Sequence, residues 1–148
     1  MNWTLLMICV AGAILIAGTG DPTTKAEIEK MQGTWLVVKQ VADGRDASQK
    51  ELADADIKLI VKDLSYTVIF GGKKLTEGKL NVVASKSPTQ LDATDSDGPL
   101  KGQARPAIYK FENNLWIVNF GKAGQVRPTD FTSKEGSNRL MLTYQKVK

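Results

Sequence analysis

The 148-residue sequence contains no histidine and only one cysteine, and both shortages limit its chemistry. Without histidine it cannot form a Ser-His-Asp or Cys-His catalytic group or a His-ligated zinc site. Cys9 lies among the first 20 residues, so residues 21–148 have no thiol for a disulfide, an iron–sulfur cluster or redox chemistry. Much of enzyme chemistry is thereby excluded, and we expect no catalytic residues, no metal site and no cofactor.

The first 20 residues also lack any charged side chain. Within them the apolar run 5–17 is followed by Gly18-Thr19-Gly20, a pattern typical of a signal peptide and its cleavage site. The run is shorter than the roughly 20 residues that cross a membrane. We therefore expect residues 1–20 to be a signal peptide and the chain to be exported, to the periplasm, the cell envelope or the medium. An uncleaved N-terminal anchor stays open, since only the α-amino group is positively charged in this segment.

Residues 21–148 are the right length for one domain and hold all 20 basic and all 16 acidic side chains, for a net charge of +4. Five lysines on neighbouring predicted strands are compatible with a basic patch. We interpret them as solvated side chains on sheet faces and edges, and we expect no nucleic-acid partner because the chain is predicted to be exported. They are Lys58, Lys62, Lys73, Lys74 and Lys79.

Two capping signatures predict two short helices. Thr24 and Glu27 have the spacing of a capping box, which predicts a helix of about two turns that ends at Gly33. Ser48 and Glu51 repeat the spacing and predict a second helix over residues 49–55.

The rest of the domain has the pattern of β-strands. Short runs rich in β-branched and aromatic residues, many with alternating apolar positions, predict about eight strands with short connections. Gly71-Gly72 and Asn113-Asn114 are typical two-residue hairpin turns. An all-β antiparallel fold follows, closed as a sandwich or as a barrel. The predicted strands are 34–41, 57–62, 66–70, 73–83, 90–94, 107–112, 115–120 and 140–145.

The segment Gly33-Thr34-Trp35, between a short helix and the first strand, resembles the Gly-x-Trp signature of lipocalins and related calycin barrels. The resemblance implies an eight-stranded lipocalin-like barrel, with Trp35 closing its base beneath the N-terminal helix. It also implies an arginine stacked on the Trp35 ring, and of the two candidates, Arg139 and Arg127, we favour Arg139.

A longer series of motifs resembles a family of small exported lipocalin-like domains from planctomycete bacteria, over residues of about 28 to 146. That family has no established activity, so the resemblance bears on fold more than on function. The motifs are Met31-Gln32-Gly33-Thr34-Trp35, Asp43-Gly44, Gly71-Gly72-Lys73, Ser87-Pro88, Asp97-Gly98-Pro99, Lys101-Gly102, Ile108-Tyr109 and Arg127-Pro128.

A barrel of this size has room for side chains or for one small ligand. We expect a small apolar or amphipathic ligand, oriented by Tyr109, Arg105, Asn119 and Arg127 on or beside the strands. The bulky strand 115–119 argues against a large cavity. The alternative is a filled barrel that binds an envelope protein through its loops and basic face.

The densest acidic cluster, residues 92–98, partly resembles a calcium-binding loop. With Gly98 at the sixth position, however, the first and twelfth positions are Ala93 and Ala104, so both anchoring ligands are missing. We interpret the cluster as a strand end followed by an Asp-rich turn.

Overall fold

A computed structural model describes residues 21–148. The predicted signal peptide and Cys9 lie outside the described residues. Within them no helix is long and apolar enough to cross a membrane. The elements in chain order are α1 Pro22–Met31, β1 Gly33–Ala42, β2 Arg45–Asp46, α2 Gln49–Ala55, β3 Ile57–Lys62, β4 Ser65–Phe70, β5 Lys73–Val83, β6 Thr89–Asp95, β7 Ala104–Glu112, β8 Leu115–Phe120 and β9 Leu140–Lys146.

Eight of these strands close into an antiparallel barrel. From β3 to β9 each strand pairs with the next, and β1 pairs with β3 on one side and with β9 on the other. The two-residue β2 is added to β1 only. The predicted all-β antiparallel barrel with a short N-terminal helix is confirmed, and of the two closures that the pattern allowed, the barrel is correct.

The alternating pattern of the strands fixes which side chains face the interior. In β3, Leu59 and Val61 are buried, whereas Ile60 between them is exposed. The two hairpin turns also form as predicted, because both glycines of 71–72 and both asparagines of 113–114 have the positive φ that a type I′ turn requires.

The helix at the second capping signature is confirmed, but the first signature gave the wrong start for α1. Ser48 caps α2 as predicted, with the Glu51 amide donating to Ser48 Oγ at 3.1 Å and the Ser48 amide to Glu51 Oε2 at 2.7 Å. In α1 the N-cap is Asp21, and Thr24 lies within the helix. Pro22 explains the earlier start, since its fixed φ and missing amide hydrogen suit the first helical position.

Trp35 lies at the barrel end covered by α1. Its side chain is buried, and Nε1 donates a hydrogen bond to the Met31 carbonyl of α1 at 2.8 Å. Its ring packs edge-on against Trp116, with centroids 5.3 Å apart. Trp35 therefore packs between α1 and the aromatic side chains of the barrel interior.

The cation over the Trp35 ring is a lysine, so the predicted arginine is wrong. Lys146 Nζ lies 5.5 Å from the ring centroid, and Lys146 is the β9 partner of Trp35. Gly33, at φ +110°, leaves space for this lysine, since a Cβ there would lie 3.1 Å from Lys146 Cε. Arg139 lies near the opposite end of β1 and donates to Asp130 Oδ1 at 2.8 Å.

Lys146→Ala should lower the free energy of unfolding by about 0.5–1 kcal/mol, because it removes a solvent-exposed cation from the face of the Trp35 ring. We expect the indole N–H resonance of Trp35 in an NMR spectrum to shift as well. Lys148→Ala is the control and should change neither. A shift of that resonance in Arg139→Ala but not in Lys146→Ala would contradict the assignment.

Candidate functional site

The barrel interior is filled at the α1 end and hollow at the other. At the filled end Phe111 stacks on Trp116, with ring centroids 5.7 Å apart, and Trp35 packs beside both. Beyond Trp116 lies a cavity of about 460 Å³. This volume falls within the range of about 300–1,000 Å³ that is typical of small-molecule sites. The bulky side chains of β8 therefore leave part of the interior open, and three of them line the cavity.

Most of the cavity wall is apolar. Leu59, Leu80, Leu91 and Val118 line it from four different strands, and each is buried. At the mouth Leu75 is 62 % exposed to solvent while also lining the cavity. A bound molecule would therefore contact a largely apolar wall that extends from the buried part of the cavity to its solvent-exposed mouth.

Two β-bulges determine which side chains reach the cavity from β1 and β5. The register between β1 and β9 shifts at Val38, so that Gln40 pairs with Leu142 and both line the cavity. The register between β4 and β5 shifts at Leu75 and brings that leucine to the mouth. A bulge reverses the in-and-out alternation beyond it, which is why neither residue follows the phase of its strand.

One wall of the cavity carries three polar side chains that contact one another, Tyr66, Asp95 and Arg105. We call these three side chains the polar group. The Tyr66 hydroxyl donates to Asp95 Oδ1, and Arg105 Nη2 donates to the same oxygen at 3.3 Å. Asp95 is 6 % exposed and Tyr66 is 3 % exposed. Burial and the neighbouring Asp95 raise the pKa of Tyr66, so its hydroxyl stays protonated and keeps donating.

Arg105 is held by a second contact on its other side. Its guanidinium carbon lies 5.1 Å from the centroid of the Phe120 ring, which also lines the cavity. Among the described residues its Nε has no hydrogen-bond acceptor. Arg105 is thus fixed between a carboxylate and an aromatic face with donor capacity to spare.

Gly78 allows the polar group to form. It pairs with Tyr66 on one side and with Asp95 on the other, at the point where the tyrosine crosses β5. A Cβ on Gly78 would lie 2.5 Å from the Tyr66 hydroxyl and would also overlap the Thr94 carbonyl oxygen. The tyrosine therefore reaches Asp95 only because this strand position has no side chain.

Of the four residues predicted to orient a ligand, Arg105 lines the cavity. Tyr109 lies in the filled half, where it packs edge-on against Phe111 and Trp116 and donates to Glu27 Oε2 of α1 at 3.1 Å. Burial raises the pKa of Tyr109. It belongs to the closed end and does not line the cavity.

Asn119 and Arg127 lie outside the barrel interior. Asn119 is fully buried under the segment 121–139, and its Nδ2 donates to the carbonyls of Asp130 and Thr132. Arg127 donates to the Leu91 and Ala107 carbonyls and pairs with Asp92 at 2.7 Å. Both residues attach this segment to the outer wall and do not line the cavity.

The acidic cluster is divided by strand alternation. Asp92 faces outward to Arg127, Asp95 faces the cavity, and Asp97 Oδ1 accepts from Thr76 Oγ1 and the Glu77 amide. Among residues 21–148 no group of three potential ligands is placed to hold a metal ion. The carboxylates thus have separate partners within the protein.

Comparisons with known proteins add nothing to this geometry. No protein-family model matches the chain, and no curated protein matches its sequence. The resemblance to planctomycete lipocalin-like domains therefore stays a prediction from the motifs, and function is inferred from the cavity.

Proposed function

We propose that this protein is an exported binding protein that holds a small molecule with an apolar body and a polar end inside the barrel. The observation that supports this is the 460 Å³ cavity, whose walls are largely apolar and which the polar group of Tyr66, Asp95 and Arg105 lines on one side. Apolar pockets with a few convergent polar groups are the usual form of small-molecule sites. Export is inferred from the uncharged, apolar first 20 residues.

The geometry supports binding better than catalysis. Asp95 is the carboxylate that lines the cavity, and its Oδ1 already accepts from both Tyr66 and Arg105. This oxygen therefore already has its hydrogen-bond partners within the protein, which suits a structural role for the carboxylate. The interior also argues against the filled-barrel module, which requires a solid core.

The first test is native mass spectrometry of the protein purified without denaturant. We expect an additional non-covalent mass of a small molecule, which is lost when the protein is denatured. The measured protein mass also tests the predicted cleavage before Asp21. A protein without bound mass that also fails to bind decanol would contradict the proposal.

A pair of variants tests where a ligand binds. Ala93→Phe places a ring inside the cavity, because Ala93 is buried in its wall. We expect at least about a tenfold loss of decanol affinity, equivalent to about 1.4 kcal/mol, by titration of tryptophan fluorescence. Thr94→Phe, one position along and facing outward, is the matched control and should keep the original affinity. Equal losses in both variants would place the ligand elsewhere.

A further inference from the structure

We infer that the cavity selects a ligand whose polar end is uncharged, such as an alcohol or an amide, over one that ends in a carboxylate or an ammonium group. This inference rests on the proposed binding function and names the chemical class of its ligand. It follows from the charges that line the cavity.

The charges of the cavity cancel. Of the described residues that line it, only Asp95 and Arg105 are charged, and they are joined through Asp95 Oδ1. The Asp95 side chain is 7 % exposed and that of Arg105 is 21 % exposed, so solvent screens the pair weakly. The third member of the polar group, Tyr66, stays neutral. The polar wall therefore has two opposite charges and no excess of either.

A charged group on a ligand would find no unpaired counter-ion among the residues described as lining the cavity. A ligand carboxylate near Arg105 would also face the Asp95 carboxylate, and a ligand ammonium near Asp95 would also face the Arg105 guanidinium. Burying an ion without a partner in apolar surroundings is costly, and the cost is smaller for a neutral group that forms hydrogen bonds.

The cavity lining also includes neutral side chains that can form hydrogen bonds with the uncharged polar end of a ligand. Gln40, with its side-chain amide, and Tyr144, with its hydroxyl, both line the cavity. Burial raises the pKa of Tyr144, so its hydroxyl remains a donor. Together they offer donors and acceptors to an alcohol or an amide without adding charge.

The test compares three probes with the same ten-carbon chain: decanol, decanoate and decylammonium. Titrations of tryptophan fluorescence measure the affinity of each, since Trp116 lines the cavity. We expect decanol to bind at least about tenfold tighter than either ion, which is about 1.4 kcal/mol.

Two variants should change this order in opposite directions. Asp95→Asn leaves Arg105 without its carboxylate, so decanoate should bind at least about tenfold tighter than it does to the original protein. Arg105→Gln leaves Asp95 alone, and decylammonium should gain instead. The matched control is Asp92→Asn, which removes an outward-facing acid from the same strand and should keep the original order.

The outcomes separate the two proposals. If decanoate binds the original protein as tightly as decanol, the inferred selectivity is wrong while the binding function stands. The inference is also overturned if Asp95→Asn and Asp92→Asn change the decanoate affinity equally. If none of the three probes binds, the inference fails, and if native mass spectrometry also finds no bound mass, the proposed function fails with it.

Discussion

Trp35→Ala should lower the free energy of unfolding by roughly 3–5 kcal/mol, the range for removing a large buried aromatic side chain. Trp35 is 3 % exposed and contacts the rings of Phe111 and Trp116. Its indole N–H also ties the barrel to α1 through Met31. The alanine variant loses the packing, leaves a cavity and removes the hydrogen bond to the helix.

Urea denaturation followed by circular dichroism measures this loss. Trp35→Phe is the informative companion, because it keeps an aromatic ring and loses only the hydrogen bond and part of the volume. We expect its destabilisation to be clearly smaller than that of the alanine variant. A loss below about 1 kcal/mol in Trp35→Ala would show that the residue does not close the barrel.

Gly78→Ala is the second change with a large expected effect. The added methyl group overlaps both the Tyr66 hydroxyl and the backbone at Thr94, and only the first of these can move. Forcing one carbon into such a site costs typically about 1–3 kcal/mol, and we expect the upper part of that range. Decanol binding should weaken as well, since the shifted Tyr66 leaves Asp95.

Asn81→Ala is the control for this change, because Asn81 is exposed on the same strand. It should alter the free energy of unfolding by no more than about 0.5 kcal/mol and leave decanol binding unchanged. If Gly78→Ala is as stable as Asn81→Ala, the close crossing of Tyr66 over β5 is wrong.

Much of the fold was predictable because local chemistry and global structure agree. The alternation that buries Leu59 and Val61 defines β3. The glycines at 71–72 define the hairpin between β4 and β5, and the asparagines at 113–114 define the hairpin between β7 and β8. Alternation alone left sandwich and barrel equally open. The choice depended on a resemblance centred on Gly33 and Trp35.

Much of the candidate site was less predictable, because each missed residue depends on a contact distant in sequence. Asp95 follows Leu91 and Ala93 in the inward phase of β6. Alternation therefore predicts that its side chain faces the interior, but it does not predict which residues of other strands contact it. Gln40 reaches the cavity only through a bulge, which strand patterns do not reveal. Asn119 is out of phase with the inward residues of β8, yet the segment 121–139 that covers it has no regular pattern.

The pairing of β1 with β9 also has a consequence for how the chain folds. Strand β1 pairs with β9, the last strand of the barrel. Through this pairing Lys146 contacts the ring of Trp35, which is more than a hundred residues away in sequence. Contacts this distant in sequence form late, because a long loop must close first. Until β9 arrives, the partly formed sheet has an open edge at β1 and another at β8, each with unpaired backbone groups. Synthesis from the N-terminus therefore leaves the sheet open until β9 has been made.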